Sequence, residues 1–556
     1  MSGIAGIVRF DGPHVETALI QKLTAAMKRR GPDEQTHWFQ GPVALGHCML
    51  RTTPESLDER QPLANHDGDL VLVWDGRIDN RKSLGRDLLA AGARLRDRSD
   101  AELALQSYAT WGEKAPERLL GDFAFAVWDR RQGKLFCARD PMGARPLFYT
   151  RNDRFFAFAS EEEVLTVLPG VSGRPNEERI AYALVPGFED FDYSRSWLED
   201  VRTLMPGHTL DVSLRGTIDI ASYWELAPGE ETQYASDAEC REAFLEVFGE
   251  AVRCRMRASG DVSAMMSGGL DSAGIAAMVK RLLPGMPGKA FHTYSAVSDQ
   301  PETCIETRSI QSLTRDLGER AHFVAVPSFT GMADVQDLIE AAWSKPHPVD
   351  NSILLPAVMA LSARRNGQRV MLHGASGDLT MHAPLHYASY LLRDNRWARA
   401  WRECSDASRN NNYLRNTAPA LLFTKALWHA YLPGRARSTL QGFRERLIGP
   451  PLQKRIPLDL RLPWFSWGAI RYLQEHIKPG MKVFEWGSGG STLFFADRHC
   501  DVYSVEDNLR WHTLMYEKAS STVKQITLQH IPYDFNKANF YNGRKYRGRH
   551  QHSKST

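Results

Sequence analysis

The chain has 556 residues, 43% of them hydrophobic and 24% charged, with a formal net charge of +3. That length allows roughly three or four domains with sizeable cores, and the near-neutral charge predicts neither a nucleic-acid partner nor attachment to a membrane surface. Its seven cysteines (Cys48, Cys137, Cys240, Cys254, Cys304, Cys404 and Cys500) are scattered and form no C-x-x-C pair, which argues against a disulfide framework or a structural zinc site. A reducing, cytoplasmic location is expected, since no apolar run approaches the roughly 20 residues of a membrane helix and the N-terminal run is too short for a signal peptide.

Residues 1–225 read as mostly β. Short apolar runs such as Leu70 to Trp74, Phe123 to Trp128 and Leu135 to Ala138 end in turn residues, namely Asp75-Gly76, Asp129 and Asp140-Pro141-Met142-Gly143. Helical patterns are expected near 15–30 and 100–111, and 227–232 reads as a linker. From about 236 the period changes: a helical stretch leads to the strand Val262 to Met266, then Ser267-Gly268-Gly269-Leu270-Asp271-Ser272, then a helix with Ile275, Met278, Val279 and Leu282 on one face. Further strands at 291–297, 322–326 and 369–373, alternating with helices, predict a parallel α/β sheet. A second connection is expected at 434–460. After Trp464 a strand from Lys482 to Glu485 runs into Trp486-Gly487-Ser488-Gly489-Gly490-Ser491-Thr492 and a helix, followed by a strand ending at Glu506 and another at 525–531. The basic tail, 541–556, lacks large aliphatic residues and is expected to be disordered.

The loop at 267–272 has a direct chemical use. Two glycines let backbone N–H groups approach a phosphate, Ser267 and Ser272 add hydroxyl donors, and the following helix N-terminus favours negative charge. A carboxylate at Asp271 amid phosphates makes sense as a Mg²⁺ ligand. The pattern is not the G-x-x-x-x-G-K-[ST] loop of γ-phosphate transfer. Here the chain resembles the pyrophosphatase-loop (PP-loop) ATP enzymes, and among them the asparagine synthetases, which adenylate a carboxylate, release pyrophosphate and let an amine attack. The second signature of that family is matched by His373-Gly374-Ala375-Ser376-Gly377-Asp378-Leu379. The resemblance implies catalytic, metal-binding roles for Asp271 and Asp378, with Gly268, Gly269, Gly374 and Gly377 around ATP and its pyrophosphate. Ala375 and Leu379 depart from the family's acidic residues, which argues against plain asparagine synthesis.

The N-terminal segments Gly3-Ile4-Ala5-Gly6-Ile7, Arg30-Gly31-Pro32-Asp33, Asp75-Gly76-Arg77-Ile78, Ser99-Asp100-Ala101-Glu102 and Ala138-Arg139-Asp140-Pro141 resemble a class II glutamine amidotransferase domain. That resemblance implies an Ntn-type αββα sandwich. It also implies a degenerate glutaminase site of Ser2, Arg51, Asp75, Gly76 and Asp100. Serine stands where the family has its N-terminal cysteine nucleophile, and Asp75 stands where the family has an oxyanion-hole asparagine. Removing one such donor already costs about 10²–10³ in rate, so glutamine hydrolysis is not expected.

A dead glutaminase joined to an adenylating domain is similar to beta-lactam synthetases and lasso-peptide macrolactam synthetases, and Leu50 to Pro62 looks most like the latter. The resemblance implies a peptide substrate cyclised through its own amine, with a leader-cleaving protease as partner. The segment around Glu485, Gly487, Gly489 and Glu506 resembles the S-adenosylmethionine site of methyltransferases, within a partial Rossmann-like unit. The expected organisation is therefore 1–225 glutaminase-like, 236–458 a shortened ATP-binding domain and 464–540 methyltransferase-like. The alternatives are an impaired scaffold protein, or asparagine formation from aspartate and free ammonia.

Overall fold

The computed structural model describes residues 1–184, 192–227, 232, 234–298, 301, 304–317, 320–325, 354–375, 377, 387–410, 418–431, 473, 476–506, 509–520 and 526–530. The chain divides into two compact units, Met1–Thr380 and Met381–Thr556. The expected connection at 434–460 and the tail at 541–556 lie outside the described residues.

The first unit opens with β1 (Gly3–Arg9), α1 (Thr17–Ala26), β2 (Glu34–Gln40), β3 (Val43–Met49), β4 (Leu63–Ala64), β5 (Leu70–Ile78), α2 (Arg81–Ala90) and α3 (Asp100–Trp111). It continues through β6 (Gly121–Asp129), β7 (Lys134–Arg139), β8 (Phe148–Arg151), β9 (Phe155–Ala159), α4 (Glu177–Leu184), β10 (Arg202–Thr203), β11 (His208–Ser213) and β12 (Ile218–Ser222). Two six-stranded sheets result, ordered β10-β8-β9-β1-β3-β2 and β12-β11-β7-β6-β5-β4. Every ladder in them is antiparallel.

The alternation along each strand decides the layers. In β5, Val71 and Val73 face the core between the sheets, while Leu70, Leu72 and Trp74 face α2 and α3. β6 repeats this, with Ala124, Ala126 and Trp128 between the sheets and Phe123, Phe125 and Val127 under the helices. On the other sheet, Ala5 and Ile7 pack under Ile20, Leu23 and Met27 of the α1 region. The stack is helix, sheet, sheet, helix. α1 stops at Ala26, short of the expected residue 30, and the chain turns so that Arg30 Nε donates to the Ser2 carbonyl at 2.7 Å. α2 and α4 were not expected from the sequence.

The second half of this unit comprises α5 (Asp237–Arg255), β13 (Val262–Met265), α6 (Leu270–Leu282), β14 (Phe291–Val297), α7 (Ile305–Leu317), β15 (Arg320–Ala325), α8 (Leu354–Arg365) and β16 (Met371–Leu372). Its sheet is parallel, as expected, with order β15-β14-β13-β16. Val262 and Ala264 of β13 pack with α5, α6 and α7, whereas Tyr294 and Met265 meet Met359 and Ala363 of α8 on the opposite face. Helices cover both faces, the condition for a parallel sheet to be buried. The fourth strand is shorter than its expected span.

In the second unit, α9 (Tyr387–Arg393), α10 (Trp397–Asn410) and α11 (Pro419–Tyr431) pack through Leu391, Leu392, Ala400 and Ala426. β17 (Lys482–Trp486), α12 (Gly490–Ala496), β18 (Asp501–Glu506), α13 (Leu509–Ser520) and β19 (Ile526–His530) form a parallel sheet ordered β17-β18-β19. All seven cysteines are free. Among the described residues no helix is long and apolar enough to cross a membrane.

Candidate functional site

Two places in the first unit carry chemistry. At one end of the sandwich, Ser2 precedes β1, Asp75 and Gly76 lie in β5, and Asp100 opens α3 under its Ser99 cap. They line a small cavity together with Met1, Thr53, Glu59, Trp74 and Arg145. Its volume is about 40 Å³, room for about three waters. Ser2 Oγ accepts the Leu50 N–H at 3.1 Å. Asp75 is buried and paired with Arg30, Oδ2 to Nη2 at 2.9 Å. Burial pushes its carboxyl up, but the charges of Arg145, Arg30 and the amino terminus together hold it below the ordinary value. Asp75 is thus an ionised acceptor where an oxyanion would need a donor.

The remaining carboxylates of the cavity are also committed. Asp100 accepts from Arg257 Nη2 at 2.6 Å and the Ile78 N–H at 3.1 Å, and its Oδ1 forms an ion pair with Arg81, 2.9 Å from Nε. Burial raises its carboxyl, against the opposing pull of Arg257. Glu59 is pushed up to about 7 by burial and accepts from Gln61 Nε2 at 2.7 Å. An amino-acid ammonium entering here would find every carboxylate engaged or close to neutral. Ser2, Asp75, Gly76 and Asp100 line the cavity, whereas Arg51, between the lining residues Leu50 and Thr52, does not. The Arg51 guanidinium pairs with Glu34, and its N–H goes to Asp33 at 2.8 Å. Arg30 lies in the segment Arg30-Gly31-Pro32-Asp33, whereas Arg257 sits in no motif and could be found only from the three-dimensional arrangement.

The second place lies at the C-terminal ends of β13 and β16. The order β15-β14-β13-β16 reverses between these two strands, and such a switch point leaves a crevice for ligands. The loop after β13 reaches α6 through Gly269 at its cap, leaving the first N–H groups of a 13-residue helix facing that crevice. Gly268 has φ +77°, a backbone conformation that favours glycine. Ser267 is exposed. Ser272 departs from its expected role as a phosphate donor: it is buried and braces the loop from inside, taking the Ser267 N–H at 3.2 Å and donating to the Gly269 carbonyl at 3.1 Å.

The loop after β16 folds onto Asp271. A Cβ at Gly374 would lie 2.9 Å from Asp271 Cβ, and one at Gly377 would lie 2.6 Å from Asp271 Cγ. Only glycine allows this approach without displacing the Asp271 carboxylate. Asp378 and Leu379 lie outside the described residues, and Ala375 is exposed, its N–H directed to His373 Nδ1 at 3.3 Å. Among the described residues no cluster of three His, Cys, Asp or Glu side chains could hold a metal by itself. One carboxylate beside a phosphate crevice nevertheless fits Mg²⁺, which takes one or two protein carboxylates and completes its shell with phosphate oxygens and water.

In the second unit the glycine loop after β17 is closed by its own side chains. Glu506 Oε2 accepts both the Ser488 N–H at 2.9 Å and its Oγ at 3.0 Å, which braces the loop. Glu485, at the end of β17, has its carboxyl raised by burial. Gly487 adopts φ +89°, and Gly489 caps α12 in extended conformation.

A family model described as a glutamine amidotransferase domain matches residues 1–224, and one described as asparagine synthase matches 243–520. Asparagine synthetase (glutamine-hydrolyzing) 3 of Bacillus subtilis (strain 168) is 29% identical over 316 residues, covering 56% of this chain and 50% of the relative. Asparagine synthetase (glutamine-hydrolyzing) 1 of the same organism is 28% identical over 390 residues, covering 68% and 58%. The chain thus spans about half the length of the curated relatives it matches. The asparagine synthase match covers half of the chain and includes both signature loops of the crevice, so the chain belongs to the asparagine synthase family.

Proposed function

We propose that this chain is an ATP-dependent ligase that adenylates a carboxylate in the crevice between β13 and β16 and joins it to an amine, without hydrolysing glutamine. The observation that carries this reading is the seating of Gly374 and Gly377 directly on Asp271, which brings the two signature loops to one point. A carboxylate oxygen of the substrate attacks the α-phosphorus of ATP and pyrophosphate departs. The amine then attacks the acyl carbon, AMP leaves, and the amine gives up a proton. Ser267, Gly268, Gly269 and the N-terminus of α6 hold the phosphates by backbone and hydroxyl donors. Asp271 and Asp378 would hold Mg²⁺, whose chemistry is to neutralise triphosphate charge.

The amine comes with the substrate or as free ammonia, since the cavity at Ser2 is small and the Asp75 carboxylate stands where an oxyanion would need a side-chain donor. An intramolecular macrolactam on a peptide is supported by the resemblance of residues 50–62, and the loss of an acidic residue at Ala375 argues against plain asparagine synthesis. Proximity makes that closure effectively unimolecular. A leader-cleaving protease is the partner such a substrate implies. Aspartate amidation by ammonia is a second reading, favoured by the names of the relatives. S-adenosylmethionine is no part of the proposal.

The test is AMP and pyrophosphate release, measured with ATP–Mg²⁺ and either aspartate plus ammonium or a panel of Asp- and Glu-containing peptides. Release with a peptide alone supports cyclisation, and release with aspartate and ammonium supports the second reading. Release with neither set, from folded protein, contradicts the ligase reading.

A further inference from the structure

The two strands that end at the nucleotide crevice are both held at their roots by the glutaminase-like sandwich. α5 ends at Arg255, and β13 starts at Val262. Within that connection Arg255 pairs with Asp79 at 3.0 Å and Asp122 Oδ1 at 2.8 Å. Arg257 pairs with Glu55 at 2.9 Å and Asp100 at 2.6 Å, and donates to the Ile78 carbonyl at 3.2 Å. Arg81 touches the same two acids, so Arg257, Glu55, Arg81 and Asp100 close a ring of alternating charge. The backbone joins in, with the Ser259 N–H on the Thr52 carbonyl at 2.8 Å and Arg77 on the Cys254 carbonyl.

At the other strand, Arg369 lies two residues before β16. It meets Asp33 through both guanidinium nitrogens, at 2.5 and 3.1 Å, and donates to the Arg51 carbonyl at 3.2 Å. β13 and β16 are themselves joined by the pairs Ser263–Met371 and Ala264–Leu372, with Ser263 Oγ donating to the Val370 carbonyl at 2.6 Å. A four-residue strand carries the position of its root about 13 Å to its tip. A shift of either root therefore reappears at Ser267–Asp271 or Gly374–Gly377.

We infer that Arg255, Arg257 and Arg369 are positioning residues for nucleotide binding, clamping the roots of β13 and β16 to the glutaminase-like sandwich so that the two loops meet at Asp271. On this account the sandwich is a template for the ATP site, and Asp100 serves the domain junction. The nucleotide arm of the test rests on the ligase reading, while the unfolding arm does not.

The experiment compares the full chain with Arg255→Ala/Arg257→Ala/Arg369→Ala, with the corresponding triple lysine variant, and with Arg154→Ala as an exposed ion-pair control. Calorimetric unfolding and the Kd for ATP–Mg²⁺ are both measured. The expected result for the alanine triple is a separate, earlier transition for one half of the first unit and a Kd raised at least about tenfold. The lysine triple should fall between, since lysine keeps the charge but not the two-pronged geometry, and Arg154→Ala should match the parent. A parent that binds no ATP would sink the ligase reading alone. The inference is overturned if the alanine triple unfolds in the same transitions as the parent, or if it binds ATP–Mg²⁺ within about twofold of a binding parent.

Discussion

Asp75 carries, at a single residue, the proposal that the cavity at Ser2 does not hydrolyse glutamine. Its pairing with Arg30 turns the place of an oxyanion donor into a buried ion pair, and removing one partner of such a pair costs about 3–5 kcal/mol. Asp75→Asn should therefore lower the melting temperature clearly. Ser2→Cys/Asp75→Asn should still show no glutamine hydrolysis by ammonia release, because the cavity stays small and Asp100 stays on Arg257. Measurable hydrolysis would mean that the site is only two substitutions from activity. Glu59 gives a pH signature. Its carboxyl is raised from 4.5 to about 7, so its contribution to stability is present in full below about pH 4.5 and is lost as pH rises through 7. Glu59→Gln removes that loss. The variant should match the parent near pH 4 and exceed it by about 3 kcal/mol at pH 8 in urea unfolding; equal stabilities at pH 8 would contradict the assignment.

At the level of elements, the strands were legible because their side chains alternate. Leu70 to Trp74 and Phe123 to Trp128 send successive residues to different cores, and the period-two pattern carries that information. α2 was not legible. It buries only Leu84 and Leu88, contains Gly85, and has no cap hydrogen bond from its side chains, so its local signal is weak and packing on the sheet decides it. The phosphate loop was readable from strand, glycines and helix in order, but its inner bonding was not. Nothing in Ser-Gly-Gly-Leu-Asp-Ser tells which serine turns inward, and the structure assigns that to Ser272. Likewise the spacing from Gly487 to Glu506 suggested a ribose contact but not the bond that the carboxylate accepts from Ser488. The close approach of the two loops yields its own prediction. Gly377→Ala places a methyl against the Asp271 carboxylate, so ATP–Mg²⁺ binding should weaken at least about tenfold while the melting temperature changes little. Unchanged binding would show that the loop after β16 does not shape the site.

On the scale of the whole molecule, the residues from Met1 to Thr380 form one compact unit that joins the antiparallel sandwich, with its cavity of about 40 Å³ at Ser2, to the parallel sheet that carries the proposed nucleotide crevice. The long-range arginine contacts that join them come from sequence positions separated by 133 to 336 residues, which is why no local pattern announced them. The central claim is that this crevice binds ATP with Mg²⁺ through Asp271, and titration calorimetry on the full chain and on Asp271→Ala tests it most directly. The account predicts saturable ATP–Mg²⁺ binding to the parent that weakens beyond detection in the variant while both unfold at similar temperature. Folded parent protein that takes up no ATP–Mg²⁺, or equal binding by the variant, would contradict it.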